Sequence, residues 1–85
     1  ATAHNNLGVL QRGIKQFELA LESFNKAIAL NPNYAEAYNN RGVLDRDMGQ
    51  VDLAKTNFEK ALALRPGYLD AQNNLDALSK AKSDA

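Results

Sequence analysis

Few side chains in this 85-residue sequence have a type and spacing that would support catalysis or metal binding. His4 is the only histidine, and the absence of cysteine excludes thiolate metal sites, thiol nucleophiles and disulfides. Asp45 and Asp47 are two residues apart, so on a helix they point to different sides and cannot act as a local acid and base pair. The serines lack a histidine base in a coherent motif, and no glycine-rich phosphate loop is present. We therefore expect no enzyme activity, no metal and no cofactor.

The polar feature that remains is a pair of adjacent asparagines, which occurs three times in the sequence. Asparagine is a poor helix former, yet each pair lies in a segment whose apolar residues recur at helical spacing. A side-chain amide carries both donors and an acceptor, so a row of amides can hold the backbone of an extended peptide whatever its sequence. The three pairs are Asn5 and Asn6, Asn39 and Asn40, and Asn73 and Asn74.

The asparagine pairs recur because the sequence repeats every 34 residues. Residues 1–34 and 35–68 are identical at 18 of 34 positions, and residues 69–85 match the start of the second copy at 4 of 17 positions. Apolar residues at helical spacing predict two helices in each full copy. The pattern places helices at about 2–14, 18–30, 36–48, 52–64 and 70–81, with ends accurate to about 2–4 residues. We therefore predict an all-α fold of antiparallel helix hairpins.

Small residues and prolines recur in fixed columns of the two copies. Small side chains allow the two helices of one copy to approach closely, so we expect Gly42 to face Ala54 and Ala61. A proline ends the second helix of each copy, and Asn33 with Glu36 predicts an N-cap for the next helix. Gly49 marks a tight turn, and Lys15 holds the equivalent place. The small residues and prolines are Gly8, Ala20, Ala27, Pro32, Gly42, Ala54, Ala61 and Pro66.

These columns resemble the tetratricopeptide repeat, whose 34-residue pattern is W-x2-L-G-x2-Y, then A-x3-F, A and P. The first copy reads His4-x2-Leu7-Gly8-x2-Gln11, Ala20-x3-Phe24, Ala27 and Pro32, and the second reads Tyr38-x2-Arg41-Gly42-x2-Asp45, Ala54-x3-Phe58, Ala61 and Pro66. The resemblance implies a short right-handed solenoid with repeats at 1–34 and 35–68 and a C-terminal capping helix and tail at 69–85. It also implies that His4 is a packing residue.

Two residues of the second copy depart from the family pattern. Arg41 and Asp45 stand where the family prefers leucine and tyrosine, and they lie four residues apart on one helix face. We expect an exposed pair worth a few tenths of a kcal/mol. The alternative is a desolvated ion pair in the junction between repeats.

The resemblance implies that the first helix of each repeat lines the concave groove of the solenoid. At 100° per residue, the asparagines lie on the side of these helices opposite the apolar residues, so we expect them to be exposed rather than part of the core. The rows are similar to the asparagine ladder of O-linked N-acetylglucosamine transferases. The alternative is that the asparagines are solvated and neutral, and persist because the copies descend from one unit. The candidate peptide-binding residues are Asn5, Asn6, Val9, Arg12, Glu36, Asn39, Asn40, Val43, Arg46, Asp70, Asn73, Asn74 and Lys80.

One ligand class of the family is not expected here. Its chaperone-tail binders use a carboxylate clamp of two lysines, an arginine and two asparagines. Of the residues in those columns, only Asn40 matches the clamp, which argues against chaperone-tail binding. The five columns hold Asn5, Val9, Asn40, Asp70 and Asn74.

Charge and hydropathy narrow the remaining function classes. Ten basic and ten acidic residues leave no net charge, so neither nucleic acid nor an anionic membrane is an expected partner. No apolar run approaches the roughly 18–20 residues of a membrane span, and no signal pattern is present, so we expect a soluble, cytoplasmic protein. The favoured function is a scaffold that binds an extended peptide or partner segment. The alternatives are self-association through the open repeat ends and an accessory segment of a larger enzyme.

Overall fold

The computed structural model describes residues 1–84, with side chains described for residues 1–80; the predicted tail residue Ala85 lies outside this range. The predicted all-α fold of five helices is confirmed within the described residues. The observed helix bounds lie within a few residues of the predicted ones. The helices are α1 (Thr2–Gly13), α2 (Phe17–Leu30), α3 (Ala35–Asp47), α4 (Val51–Leu64) and α5 (Leu69–Asp84).

The helices form two hairpins that stack side by side. Helix α1 packs on α2, and α3 packs on α4, through the most extensive contacts of the molecule. Helix α2 then packs on α3, and α4 packs on α5, which joins the hairpins and adds the last helix to the stack. The first helices α1, α3 and α5 also contact their neighbours in order, so they form one continuous layer.

The turn within each hairpin depends on one residue with positive φ. Lys15 has φ 63° and Gly49 has φ 78°, which confirms the equivalence predicted for these two positions. The next backbone N–H then closes the helix end: Gln16 N donates to Gln11 O at 2.8 Å, and Gln50 N donates to Asp45 O at 2.8 Å. Glycine adopts this conformation without strain, whereas lysine does not. The first hairpin nevertheless has the same turn as the second.

The predicted N-cap at Asn33 is wrong. Helix α3 begins at Ala35 after Tyr34, and no side chain caps it. Asn33 instead donates its backbone N–H to Asn31 Oδ1 at 3.3 Å. The turn that follows Pro32 takes Asn33 one residue too far from the helix for its side chain to reach the first free N–H groups.

A buried phenylalanine fills the centre of each hairpin. Phe24 and Phe58 are fully buried, and a Cβ atom at Gly8 or Gly42 would lie 2.5 or 2.6 Å from the Cε1 atom of the corresponding ring. We expected Gly42 to face Ala54 and Ala61, and this is wrong. The group that lies over the glycine is the ring of Phe58. The alanines at positions 20, 27, 54 and 61 are also fully buried.

Candidate functional site

Hydrogen bonds between side-chain amides connect the first helices of successive repeats. Asn40 Nδ2 donates to Asn5 Oδ1 at 2.9 Å, which joins α1 to α3. Asn74 Nδ2 donates to Asn39 Oδ1 at 3.0 Å, which joins α3 to α5. Asn5 and Asn39, the first asparagines of their pairs, thus reach the following first helix, whereas Asn40 and Asn74, the second asparagines of theirs, reach the preceding one. The middle pair therefore uses both of its asparagines to join α3 to its two neighbours.

The expectation that all the asparagines are exposed is wrong for two of them. Asn5 and Asn39 retain only 4% and 6% of their accessible surface, because each lies under the amide of the next first helix. The pKa of Tyr68, which lies near Asn39, is raised by burial and by the charges of Glu36 and Asp70. Asn5 and Asn39 therefore hold the helix layer together and are not available to a ligand.

A third contact between first helices has the same sequence separation as the two amide bonds. Arg12 Nε donates to Asp47 Oδ2 at 2.7 Å, so α1 and α3 are also joined by an ion pair. All three contacts join residues 35 apart, which is one repeat plus one residue. The additional residue rotates the side chain by about 100° and directs it at the neighbouring helix.

The remaining candidate residues form a polar surface with two charged rims. Glu36 and Asp70 are exposed in the first turns of α3 and α5, whereas Arg46 and Lys80 lie near the other ends. Ten residues of helix separate Glu36 from Arg46, so the acidic and basic rims are about 15 Å apart. Asn6, Val9 and Asn73 are exposed, and Asn40, Val43 and Asn74 are half-buried. We call this surface, formed by α1, α3 and α5 between the two rims, the groove face.

Charges on the groove face differ in how far they are already neutralised. Arg12 is paired with Asp47, and Glu36 lies 3.9 Å from Arg65. Arg46 and Lys80 form no ion pair with any residue that the structure describes. The sequence has alanine 35 residues after Arg46, so the contact made by Arg12 has no counterpart there. The basic rim therefore keeps two charges that a ligand could meet.

A buried polar network lies on the other side of α3, where the sequence led us to expect an exposed Arg41–Asp45 pair. That expectation is wrong, since Asp45 is only 4% exposed, and Asn57 lies between the two charges. Asn57 Nδ2 donates to Asp45 Oδ2 at 2.6 Å, and Asn57 Oδ1 accepts from Arg41 Nε and Nη2 at 3.0 and 2.9 Å. Burial raises the pKa of Asp45, opposed by the hydrogen bond from Asn57 and the charge of Arg41.

The first repeat carries a neutral form of the same network. Ser23 occupies the position of Asn57, and its Oγ donates to Gln11 Oε1 at 2.6 Å. The sequence contains a signal for both networks, because polar residues 12 apart occupy the same two columns of each copy. That signal was missed because the columns lie on faces that otherwise read as apolar.

Neither a metal cluster nor a membrane helix is found among the described residues. No group of three or more histidine, aspartate and glutamate side chains there is arranged to hold a metal ion. None of the five helices is long and apolar enough to cross a bilayer.

Two stacked hairpins with a further helix, and a layer of first helices joined at 35-residue spacing, define a helical-repeat solenoid. Family models described as tetratricopeptide repeat match residues 1–34 and 35–68. The chain therefore belongs to the tetratricopeptide repeat family, which generally serves as a non-catalytic protein-interaction repeat. A comparison with curated protein sequences found no match.

Solved structures of other proteins have the same arrangement. The chain is similar to MamA, with a TM-score of 0.91, 30% identity, and coverage of 96% of this chain and 48% of that one. It is similar to the first repeat domain of Spaghetti (RPAP3) bound to the HSP90 peptide SRMEEVD, with a TM-score of 0.87 and 31% identity. That match covers 94% of this chain and 64% of the other. It is also similar to the second repeat domain of human RPAP3 in complex with the HSP70 peptide SGPTIEEVD. For that structure the TM-score is 0.84, the identity is 29%, and the match covers 89% of this chain and 63% of that one. The chain thus spans less than two thirds of each of these structures.

Proposed function

We propose that this chain is a non-enzymatic protein-interaction module that binds an extended peptide or partner segment across the groove face. The observation that carries the proposal is the continuous layer of α1, α3 and α5, with half-buried amides between an acidic and a basic rim. A peptide that crosses the three helices meets the amides of Asn40 and Asn74 along its backbone. Acidic ligand side chains then face Arg46 and Lys80, and basic ones face the opposite rim.

The half-buried amides keep hydrogen-bonding capacity for such a ligand. Asn40 and Asn74 each use one N–H of Nδ2 to hold the preceding first helix, which leaves Oδ1 and the second N–H for backbone groups of a ligand. Asn6 is exposed and has no amide neighbour among the described residues, so both its donor and its acceptor are available. This division of roles supports recognition of backbone rather than of one particular side chain.

The ligand differs from the acidic chaperone tails carried by two of the similar structures. Asp70 places a negative charge in a column where the family's carboxylate clamp uses lysine, and like charges repel a terminal carboxylate. Asn5, in another clamp column, is buried by its hydrogen bond with Asn40. The peptides SRMEEVD and SGPTIEEVD therefore serve as negative controls for this chain.

A charge placed on α1, between the two rims of the groove face, should weaken ligand binding. Val9 is 44% exposed on α1, so a Val9→Glu variant is expected to fold normally while it buries an unpaired charge under a bound peptide. We expect peptides selected by display of random 12-residue sequences on the wild type to bind this variant at least about tenfold more weakly, which corresponds to about 1.4 kcal/mol. Fluorescence anisotropy at low and high salt gives the dissociation constants.

Leu19→Glu is the matched control for this experiment. Leu19 is 47% exposed, on the second helix of the same hairpin, so it receives the same charge at similar exposure outside the groove face. The Kd for the peptides should stay within about twofold of the wild-type value, well below the loss of about tenfold expected for Val9→Glu. Equal losses in both variants, or no loss in either, would place the ligand elsewhere.

Self-association through the first hairpin is the second candidate function. Leu10 is 62% exposed on α1, whereas Leu44, its counterpart in the second repeat, is fully buried against α2. Leu7 and Ile14 are exposed beside Leu10, at 44% and 58%, which produces an apolar stripe of the kind that another helix covers in the second repeat.

A sedimentation experiment separates the two functions. If the chain self-associates through this stripe, its weight-average mass rises with concentration, and a Leu10→Glu variant stays monomeric because an unpaired charge would be buried in the contact. If the mass of the wild type is that of a monomer at every concentration, self-association through this face is excluded. Peptide binding on the groove face is independent of either result.

A further inference from the structure

A cavity of about 250 Å³ lies between α2, α3 and α4, on the side of α3 that faces away from the groove face. Arg41 and Asp45 belong to its lining, and these are the two residues of the second repeat that depart from the apolar family pattern. Leucine and tyrosine at these positions would present apolar surface where the chain presents charge. The lining residues are Leu21, Asn25, Arg41, Asp45, Gln50, Leu53, Thr56 and Asn57.

The guanidinium group of Arg41 has only neutral acceptors. Nη1 donates to Asn25 Oδ1 at 2.9 Å, and Nε and Nη2 donate to Asn57 Oδ1. No carboxylate among the described residues forms an ion pair with it. A guanidinium group has five N–H donors, of which these contacts use three, so two remain for a further acceptor. A half-buried cation without a direct counterion favours an anionic ligand.

The shape of the cavity limits which anion fits. Leu21 and Leu53 contribute apolar side chains to a lining that is otherwise polar, and Leu53 is 54% exposed. A planar carboxylate matches the two remaining donors of a guanidinium group, and an aliphatic stem matches the two leucine side chains. Asp45 belongs to the same lining, and its charge opposes every anion, but it opposes a phosphate more strongly than a singly charged carboxylate.

We propose that this cavity binds the side chain of a glutamate, presented by a partner protein with a leucine on each side of it. The glutamate carboxylate accepts hydrogen bonds from Arg41, and its methylene groups contact Leu21 and Leu53. Leucines next to it in the partner lie over the same two side chains. The site is separate from the groove face, so it does not depend on the peptide-binding function proposed above.

Titration with two short peptides tests this site. The probes are acetyl-Leu-Glu-Leu-amide and acetyl-Leu-Gln-Leu-amide, which differ only in the charge of the central side chain. Nuclear magnetic resonance of the labelled protein follows the Arg41 Nε–H signal and the side-chain amide signals of Asn25 and Asn57. We expect saturable shifts with the glutamate peptide at a Kd on the order of 1 mM, and at least about tenfold weaker binding of the glutamine peptide.

Variants assign the binding to Arg41. Arg41→Leu should abolish the shifts, and it is expected to fold because Leu7 holds the equivalent position in the first repeat. Arg41→Gln also removes the positive charge, but its amide group can still donate hydrogen bonds to the asparagines. Asp45→Asn should strengthen binding severalfold, since it removes a negative charge and still accepts from Asn57. Lys55→Leu removes an exposed cation of α4 that does not line this cavity and should leave the affinity unchanged.

Three results would overturn the proposal. Equal affinity for both peptides would show that the cavity recognises apolar groups rather than a carboxylate. Retention of binding in both Arg41 variants, or shifts confined to residues outside the lining, would place the peptide elsewhere. Absence of saturable shifts at any soluble peptide concentration would exclude the site. The Val9→Glu variant should bind the glutamate peptide normally, which separates this site from the groove face.

Discussion

A Gly42→Leu variant is expected to be less stable than the wild type by about 1–3 kcal/mol, although leucine is the better helix former. A Cβ atom at this position would lie 2.6 Å from Phe58 Cε1, well inside van der Waals contact. The ring cannot move aside freely, because Phe58 is fully buried in a cluster with Ala54 and Leu78. The strain therefore reaches α5 as well as the α3–α4 hairpin. Urea denaturation followed by circular dichroism measures the free energy of unfolding.

Gly13→Leu provides the matched control for this substitution. Gly13 is the last residue of α1, it does not have positive φ, and a Cβ atom there would have no neighbour within 4 Å. The gain in helix propensity is then unopposed, and stability should be unchanged or should rise by up to about 1 kcal/mol. If Gly42→Leu were as stable as Gly13→Leu, the close contact between Gly42 and Phe58 would be wrong.

The helices and their pairing could be predicted from the sequence because a strict 34-residue period determines them. The period places the same apolar, small and turn residues at the same points of each copy, so one copy supports the interpretation of the other. Lys15 illustrates this: on its own a lysine does not predict positive φ, but alignment with Gly49 does. The repeat also identified α1, α3 and α5 as equivalent elements.

The exposure of the asparagines could not be predicted from one helix considered alone. A helical wheel divides each helix into an apolar and a polar side, but a first helix in the stack also has flanks that face the neighbouring first helices. Asn5 and Asn39 lie on such a flank and are buried by contacts that cross from one repeat to the next. A search for polar pairs 35 residues apart would have found these contacts, together with Arg12 and Asp47.

The position of Asn57 between Arg41 and Asp45 could not be predicted, for a different reason. Spacing of i and i+4 predicts that two side chains meet on one helix, but a third group from α4 lies between them. The residue Asn57 comes from another helix of the hairpin, and its approach depends on the packing angle rather than on the sequence of α3. Substitution of this residue consequently has a large expected effect.

An Asn57→Ala variant is expected to lose about 1–3 kcal/mol of stability, near the upper end of this range because a charged group loses its partner. The Asn57 amide makes the one hydrogen bond found for the Asp45 side chain among the described residues. It also accepts two of the three hydrogen bonds of Arg41. The variant leaves a carboxylate at 4% exposure without a donor, and alanine cannot replace either contact.

Ser23→Ala is the matched control, in the equivalent column of the first repeat. Ser23 and Asn57 are equally buried at 6%, but Ser23 donates to the neutral side chain of Gln11. Loss of that neutral hydrogen bond should cost about 0.5–1.5 kcal/mol. Equal losses in the two variants would show that the charge of Asp45 does not contribute to the effect of Asn57→Ala.

The loss in Asn57→Ala should also depend on pH, and the direction follows from Asp45. Burial raises the pKa of Asp45 in the folded state above its ordinary value of 3.8, so the folded protein holds this proton more tightly than the unfolded chain. The stability that the protonated group contributes is complete below 3.8 and is lost as pH rises through the folded pKa. Removal of Asn57 removes a hydrogen bond that lowers this pKa, so the stability of the variant depends more steeply on pH than that of the wild type.

Urea denaturation should therefore give a larger difference in the free energy of unfolding between wild type and Asn57→Ala at about pH 7 than at about pH 3. The corresponding difference for Ser23→Ala should not change with pH. A gap for Asn57→Ala that does not narrow at low pH would mean that Asp45 is not the group left unpaired.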